Sequence, residues 1–340
     1  MWTDPALQVV TVHNPGAATV GDETVLLFRS HLRCGISVLG LARSVDGIRE
    51  WRIDSEPALV PADGADLYGS GVDKIMAVEM ESGGVEDARV NPVDGTFAVA
   101  YSAYHGQIAH SVQVCLATTD DLKSFTRYGP ILSQDMRNVV IFPERIGGRY
   151  VALLRPNGTA SGQIGGAYTQ IRVAYADDFR AGPWIVDDQP IMSTGHGPSS
   201  FSDKIGPGAP PVRTRHGWLN LFHGVRTTLS GNRYVLGVAL HDLHDVRRVH
   251  MSSIPIVFPT AADCRTAETD YVHVPGVVFS CGMLRRSDGS LIIYYAGADT
   301  VVNVAVSHED VLAELCLRYS QDPLTGTLRN QPWHRAIHAR

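Results

Sequence analysis

The sequence predicts an all-β fold, a five-bladed β-propeller with a short C-terminal helix. Two observations support this prediction: a pair of short apolar segments recurs five times, and long helical patterns are almost absent. In each copy a polar loop separates the two apolar segments, and the second ends in small or polar residues. The copies cover residues 24–29 with 38–47, 96–101 with 112–122, 150–155 with 171–179, 218–223 with 234–243, and 291–296 with 301–307.

An alanine near the end of each second segment gives the spacing of the copies. These alanines recur at intervals of 57 to 75 residues. Each interval has room for three or four short strands, which is the content of one propeller blade. Propeller repeats usually take about 40–50 residues, so the extra length predicts long loops, where functional residues tend to lie. We therefore expect a single five-bladed catalytic domain over residues 1–340.

The turns and the C-terminal helix follow from local sequence. Asp-Gly pairs at 46–47, 94–95 and 288–289 suit tight turns. Ser307 and Asp310 resemble a capping box ahead of apolar residues at helical spacing, which predicts a helix from His308 to about Arg318. The main alternative fold, a parallel α/β sheet, needs an amphipathic helix after each strand, and the sequence shows none.

Composition excludes several classes of protein. The 340 residues are 44% hydrophobic and 19% charged, which is a globular balance, and no apolar run is long enough to cross a membrane. A net charge of −6 with dispersed Lys and Arg argues against nucleic acid as a partner. The first residues lack the pattern of a signal peptide, and five cysteines without CxxC spacing suggest reduced thiols. We expect a cytoplasmic protein without a zinc site.

Two sets of polar residues are candidates for chemistry. Asp87 follows Gly83-Gly84-Val85-Glu86 and precedes the strand that begins with Ala88-Arg89-Val90, so it is either a catalytic carboxylate or a turn residue that caps backbone N–H groups. Propeller geometry would bring strand ends together at a central channel. If Arg137, Arg155, Lys204 and His223 converge there, they form a pocket suited to phosphate; otherwise each bridges or caps neighbouring blades separately.

A series of ordered motifs resembles glycoside hydrolase family 130, the β-mannoside phosphorylases and their hydrolytic relatives. The resemblance covers nearly the whole chain, and the fold of that family is a five-bladed propeller. Two departures are Ala88, where a Pro is frequent, and Val38, where many members carry Arg. The motifs are His13-Asn14-Pro15-Gly16, Gly84-Val85-Glu86-Asp87-Ala88-Arg89, Arg137-Asn138-Val139-Val140-Ile141-Phe142-Pro143-Glu144, Leu154-Arg155-Pro156, Lys204-Ile205-Gly206-Pro207-Gly208-Ala209-Pro210-Pro211, Gly217-Trp218-Leu219, Phe222-His223-Gly224-Val225 and Tyr294-Tyr295-Ala296-Gly297-Ala298-Asp299.

The resemblance implies a role for each matching residue. Asp87 matches the catalytic acid, which in this family acts through the 3-hydroxyl of the mannosyl unit. Phosphate then attacks the opposite face of the anomeric carbon and gives α-D-mannose 1-phosphate. The contacts to the mannosyl unit are Asn14, Arg29 and Asp299. The contacts to phosphate are Arg137, Asn138, Arg155, Lys204, His223 and Tyr234.

A phosphorylase and a hydrolase differ in the carboxylates that they need. An inverting glycosidase uses an acid and a second carboxylate that activates water. Phosphate is already an anionic nucleophile, so a phosphorylase needs one acid and a set of cations. Together with the reaction that the resemblance implies, the complete cationic set predicts inverting phosphorolysis of β-mannosides, with inorganic phosphate as co-substrate and no metal or other cofactor.

Other functions stay open at this stage. A β-mannosidase of the same fold is the runner-up, and a non-catalytic sugar-binding propeller is a third candidate. Five-bladed glycosidases for arabinan and fructan rank lower, because they use three carboxylates and need no cations. Loops 103–110 and 157–170 are expected to border the acceptor sugar, but the linkage, β-1,2 or β-1,4, and the acceptor are not predicted. A homo-oligomer is compatible with the family.

Overall fold

A computed structural model describes residues 8–108, 111–132, 135–157, 170–195, 199–263 and 272–329. Within these ranges the chain forms 23 β-strands and two α-helices, which confirms the predicted all-β class. The strands group into five consecutive antiparallel units, which we number 1 to 5 along the chain. No helix in the described part of the chain is long and apolar enough to cross a membrane.

Units 1 and 2 are joined into one nine-stranded sheet by a single parallel bridge between Ser37 and Gly84. Unit 1 consists of β1 (Val9–Val20), β2 (Glu23–Leu32), β3 (Ser37–Ser44) and β4 (Arg52–Ile53). Unit 2 consists of β6 (Gly84–Val93), β7 (Thr96–Tyr104), β8 (Val112–Thr119) and β9 (Thr126–Pro130), and the short β5 (Leu67–Tyr68) pairs with β9.

Units 3 to 5 form separate sheets. Unit 3 consists of β10 (Met136–Ile141), β11 (Tyr150–Pro156), β12 (Gln170–Ala176), β13 (Ile185–Val186) and β14 (Met192–Ser193). Unit 4 consists of β15 (Lys204–Pro207), β16 (Val212–Thr214), β17 (Gly217–Thr228), β18 (Gly231–His241) and β19 (Val249–Ser252). Unit 5 consists of β20 (Val278–Arg285), β21 (Ser290–Gly297) and β22 (Val301–His308), and the final strand, β23 (Ser320–Gln321), pairs with β19 of unit 4.

The five predicted pairs of apolar segments are all antiparallel strand pairs. They are β2 with β3, β7 with β8, β11 with β12, β17 with β18, and β21 with β22. One or more further strands precede each pair, so Arg29, Arg155 and His223 do not lie on the first strands of their units. The predicted Asp-Gly turn at 94–95 joins β6 to β7, and both of its residues have a positive φ.

Apolar clusters link the units in a cyclic order. The buried clusters join unit 1 to unit 2, unit 2 to unit 3, unit 3 to unit 4, and unit 4 to unit 5. A fifth cluster joins unit 5 back to unit 1, with Leu26 and Phe28 against Ile292 and Tyr294. The first strands also contact one another, since β1 contacts β6 and β20 while β10 contacts β6 and β15. Each unit therefore buries both of its faces against neighbouring units.

Four of the five first strands carry an irregularity at the same place. In β1, β6, β10 and β20 the pairing register shifts, after His13, Glu86, Arg137 and Ser280 respectively. In three of these strands the residue that follows has a left-handed backbone: Asn14 (φ 46°), Asp87 (φ 52°) and Asn138 (φ 58°). Asn and Asp tolerate this conformation better than most residues, and bulges redirect side chains. Each of these three residues is a candidate for the site.

The C-terminal helix α2 (Glu309–Arg318) confirms the predicted helix almost to the residue. Its predicted cap is wrong, because Ser307 still pairs with Leu291 in the sheet. The cap is His308, whose ring nitrogen Nδ1 accepts a hydrogen bond from the backbone N–H of Asp310 (3.2 Å).

A second helix, α1 (Lys74–Glu81), was not predicted. Its N-cap is Asp73, whose carboxylate accepts a hydrogen bond from the backbone N–H of Met76 (3.1 Å). The helix has no clean apolar face, since Ile75 and Met76 in its first turn are exposed. It is held instead by a buried polar network at its other end, which periodicity does not reveal.

That network centres on Glu81, the last residue of α1, whose side chain is fully buried. Its carboxylate accepts hydrogen bonds from Arg127 Nη1 (2.5 Å), Tyr101 Oη (2.6 Å) and the backbone N–H of Ala62 (3.0 Å). The pair between α1 and β9 is therefore both buried and fully hydrogen-bonded, which is the setting in which an ion pair is costly to break.

Arg127→Ala is expected to lower the free energy of unfolding by about 3–5 kcal/mol, because it leaves the buried Glu81 carboxylate without its counter-charge. Denaturant titration followed by circular dichroism measures the change. Arg318→Ala is the matched control, since Arg318 pairs with Glu314 on an exposed helix face and should cost no more than about 1 kcal/mol. Equal losses in the two variants would contradict a structural role for the buried pair.

Candidate active site

Asp87 lies in a cluster of charged and polar side chains from units 1 and 2. Its Oδ1 accepts hydrogen bonds from Asn14 Nδ2 (2.8 Å) and, at longer range, from Arg29 Nη1 (3.4 Å). Arg29 Nη2 donates to Glu86 Oε1 (2.5 Å), so the guanidinium lies between two adjacent carboxylates. We call Asn14, Arg29, Glu86 and Asp87 the acid cluster.

The charges around Asp87 decide its protonation in the free protein. Burial raises the pKa of this carboxyl, but Arg29, Arg89 and the hydrogen bond from Asn14 outweigh burial, and the pKa lies below its ordinary value. Asp87 is therefore a carboxylate at neutral pH before substrate binds. An acid role requires the bound sugar and phosphate to raise its pKa.

Asp299 comes from unit 5, just after β21, and has a left-handed backbone (φ 48°). Burial and the negative charge of Asp87 raise the pKa of its carboxyl to about 6, against the opposing charges of Arg29 and Lys204. Asp299 thus lies within electrostatic reach of both Asp87 and Lys204. The structure brings the three predicted sugar contacts, Asn14, Arg29 and Asp299, to the surroundings of Asp87.

A second group of side chains comes from units 3 and 4, and we call it the basic cluster. Lys204 Nζ donates to Tyr234 Oη (3.0 Å), and the ring of Tyr234 stacks on that of His223 with centroids 6.1 Å apart. Arg137 pairs in register with Arg155 across β10 and β11. The members of the cluster are Arg137, Asn138, Arg155, Lys204, His223 and Tyr234.

Gly206 shows how closely two members of the basic cluster approach. A Cβ atom on Gly206 would lie 2.5 Å from His223 Cε1 and 3.1 Å from Asn138 Nδ2. Any larger residue would therefore push the imidazole and the amide apart. Glycine is therefore required at position 206, where these two side chains meet.

The pKa values within the basic cluster report how its charges are crowded. Burial and the charges of Arg155 and Arg137 lower the pKa of Lys204 to about 7. Burial, together with Arg155, Lys204 and Arg89, lowers the pKa of His223 well below its ordinary value, so its imidazole is neutral at pH 7. A bound anion would relieve this crowding and raise both pKa values.

Two residues that the sequence analysis gave no role connect the clusters. Arg89 is almost fully buried, and it donates to the backbone carbonyls of Asp87 (Nη1, 2.6 Å) and Gly208 (Nε, 3.2 Å). Tyr104 accepts a hydrogen bond from Arg137 Nη1 (3.0 Å), while the charges of Glu86, Asp87 and Arg29 act on its hydroxyl. Arg89 lies in a family motif and Tyr104 in a loop expected to border the acceptor sugar, but their contacts are visible only in the folded chain.

The predicted loops are only partly described. Residues 109–110 and 158–169 of the loops expected to border the acceptor sugar lie outside the described residues. Among the residues that are described, no three His, Cys, Asp or Glu side chains lie close enough together to hold a metal ion.

Comparison with known proteins identifies the family to which this chain belongs. The family model described as beta-1,4-mannooligosaccharide phosphorylase, that of glycoside hydrolase family 130, matches residues 2–318. A 1,2-beta-oligomannan phosphorylase of Thermoanaerobacter sp. (strain X514) is 32% identical over 273 residues, covering 80% of this chain and 78% of the relative. A beta-1,2-mannobiose phosphorylase of Listeria innocua is 33% identical over 270 residues, covering 78% of this chain and 64% of the relative.

The similarity extends to three dimensions. The beta-1,2-mannobiose phosphorylase of Listeria innocua, solved in complex with beta-1,2-mannobiose, superposes with a TM-score of 0.73 and 25% identity. That superposition covers 91% of this chain and 92% of the other. With a family model over nearly its whole length and relatives above 30% identity, the chain belongs to glycoside hydrolase family 130.

Proposed function

We propose that the protein is an inverting β-mannoside phosphorylase, which uses inorganic phosphate to release α-D-mannose 1-phosphate from β-mannosides. The observation that carries the proposal is the crowding of buried positive charge in the basic cluster, where burial and the charges of Arg155 and Arg137 lower the pKa of Lys204 to about 7. Such crowding costs free energy in the empty site and favours a multivalent anion. The relatives named as phosphorylases of β-mannosides support the same reaction.

In the proposed reaction, the bond between the anomeric carbon and the departing sugar oxygen breaks while a phosphate oxygen bonds to the opposite face of that carbon. Asp87 supplies the proton that the departing oxygen needs, through the 3-hydroxyl of the mannosyl unit. Asn14, Arg29 and Asp299 hold that unit. The basic cluster holds phosphate, with neutral His223 and Asn138 as hydrogen-bonding partners and Arg137, Arg155 and Lys204 as cations.

We propose further that the five units are the blades of one five-bladed propeller. The cyclic order of the apolar clusters, in which unit 5 packs on unit 1, supports closure. So does the hydrogen bond from the backbone N–H of Val12 in unit 1 to the carbonyl of Thr300 in unit 5 (3.1 Å). In that arrangement the bulged first strands line the centre, and all five units contribute to the site.

Phosphate is the proposed co-substrate, with no metal or organic cofactor, because side-chain cations already match its charge. A cytoplasmic location fits a reaction that keeps its product as a charged sugar phosphate. The names of the two relatives above 30% identity make β-1,2-linked mannosides the first substrates to test.

A β-mannosidase is the second candidate, and one observation favours it. Asp87 has two further carboxylates within electrostatic reach, Glu86 and Asp299. An inverting hydrolase needs one such group as a base for water. The choice between the two functions therefore depends on whether water or phosphate attacks.

Phosphate dependence separates these functions. With β-1,2-mannobiose, phosphate and a metal chelator, we expect mannose and α-mannose 1-phosphate in equal amounts. With sulfate in place of phosphate, which controls for ionic strength, mannose release should fall to background. Equal mannose release in both buffers would establish the mannosidase, and loss of turnover on adding the chelator would contradict the metal-free mechanism. β-1,4-Mannobiose and reverse synthesis from α-mannose 1-phosphate with a panel of acceptors then define linkage and acceptor.

A further inference from the structure

Glu86 occupies an unusual position for a residue next to the proposed acid. Neighbouring side chains in a regular strand point to opposite faces. In β6 the register shifts between Glu86 and Arg89, and Asp87 has a left-handed backbone. The bulge therefore turns Glu86 and Asp87 toward the same guanidinium, that of Arg29.

Three hydrogen bonds join Glu86, Arg29 and Ser37 in a ring. Ser37 Oγ donates to Glu86 Oε1 (2.8 Å), Arg29 Nη2 donates to the same oxygen (2.5 Å), and Arg29 Nε donates to Ser37 Oγ (3.2 Å). Ser37 and Glu86 are both buried, and the planar guanidinium is held at two of its nitrogens. Its remaining arm, Nη1, is the one that reaches Asp87, at the longer distance of 3.4 Å.

In this geometry Arg29 interacts more strongly with Glu86 than with Asp87. The short, hydrogen-bonded contact goes to Glu86, and the long one goes to Asp87. If Arg29 did not also pair with Glu86, it would pair more tightly with Asp87 and keep Asp87 ionised. An acid must instead carry a proton. A second negative charge beside Arg29 opposes that effect.

Resting on the proposed function, we propose that Glu86 is a positioning residue for the reaction. It fixes Arg29 against the mannosyl unit and takes up most of the charge of Arg29, so that Asp87 can carry a proton once substrate is bound. Glu86 itself does not touch the reacting atoms. Its effect passes through Arg29 and through its negative charge.

The groups that face Asp87 determine the sign of the expected pH effect. Positive or polar groups that favour its carboxylate are Arg29 on β2, Arg89 on β6, and His13 and Asn14 on β1. Acidic groups near it are Glu86 on β6 and Asp299 after β21, with the Tyr104 hydroxyl at the end of β7. Replacing Glu86 with a neutral residue removes one negative charge and frees Arg29 for Asp87, so both changes lower the pKa of Asp87.

The test compares Glu86→Gln with the parent in phosphorolysis of β-mannobiose between pH 5 and 9. Loss of protonated Asp87 gives the basic limb of the profile of kcat. In Glu86→Gln we expect this limb to move about one pH unit lower, and kcat at pH 7 to fall about tenfold with it. Ser37→Ala is the matched control: it breaks the same ring without removing a charge, so it should lower the rate and leave the limb in place.

Glu86→Asp provides a second reading, which holds even if Glu86→Gln does not fold. The shorter side chain keeps the charge but loses the 2.5 Å contact to Arg29, so kcat/KM for the mannoside should fall while the basic limb moves less than in Glu86→Gln. An unshifted limb in folded Glu86→Gln, or a parental kcat/KM in Glu86→Asp, would overturn the proposal. A parent that makes no α-mannose 1-phosphate would instead reject the proposed function.

Discussion

Asp87→Asn is expected to lower the turnover of a natural β-mannobiose by about 10²- to 10⁴-fold, because proton delivery to the departing oxygen is lost. Asn has the same size and tolerates the left-handed backbone at this position (φ 52°), so the bulge should survive. Asn14 Nδ2 also keeps an oxygen to which it can donate. The loss therefore reports on chemistry rather than on folding.

The leaving group and the pH profile make this result specific. An activated aryl mannoside needs little protonation of its leaving group, so its turnover should fall much less in Asp87→Asn. In the parent, kcat/KM should rise as the pH falls toward 5, because the pKa of Asp87 in the free protein lies below its ordinary value and the acid form is scarce at neutral pH. That rise should be absent in the variant.

Asp94→Asn is the matched control, since Asp94 is another left-handed Asp (φ 49°) in the same unit and lies in the turn between β6 and β7. It should keep parental activity on both substrates. An equal loss on both substrates for Asp87→Asn, or near-parental turnover of mannobiose, would place the acid elsewhere. Asp299 is then the next candidate, because its carboxyl already has a pKa raised to about 6.

The sequence predicted the paired apolar strands of every unit but not the strands that precede them. Strands such as β2 and β11 contain continuous apolar runs and are buried on both faces. Such strands can be recognised in a single sequence. The first strands β1 and β6 contain His13, Asn14, Glu86 and Asp87, and their alternation is broken by bulges. The strands that carry the candidate site are thus the ones that period-2 patterns miss.

The same limit applies to individual site residues. The resemblance gave Asp87 and the members of the basic cluster their roles, because each matches a position that has that role in the family. Glu86 and Arg89 lie in the same motif as Asp87, yet what they do depends on contacts with residues 57 and 119 positions away in sequence. Contacts of that range depend on the packing of whole units, which local propensity does not encode.

The basic cluster makes the second large prediction. Arg155→Ala or Lys204→Ala should raise the KM for phosphate about 10- to 150-fold, because each removes a charge-assisted hydrogen bond worth about 1.5–3 kcal/mol. The KM for the mannoside should change little. Arg172→Ala is the matched control in unit 3, since Arg172 lies on β12 and faces Asp188, a pair of opposite charges 3.9 Å apart at the surface. A loss confined to the mannoside would reject the assignment of the cluster to phosphate.

Lys204 adds a pH signature to that prediction. Its pKa of about 7 in the free protein means that the ammonium is lost as the pH rises above 7, so anion binding should weaken over that range. Phosphate itself ionises there, which would obscure the effect, whereas sulfate keeps a constant charge. Sulfate inhibition competitive with phosphate should therefore weaken between pH 6.5 and 8.5 in the parent. In Lys204→Ala, inhibition should be weak and nearly independent of pH over the same range, because Asp299, with a pKa of about 6, is ionised across most of it. A parental pH dependence in Lys204→Ala would show that another group controls anion binding.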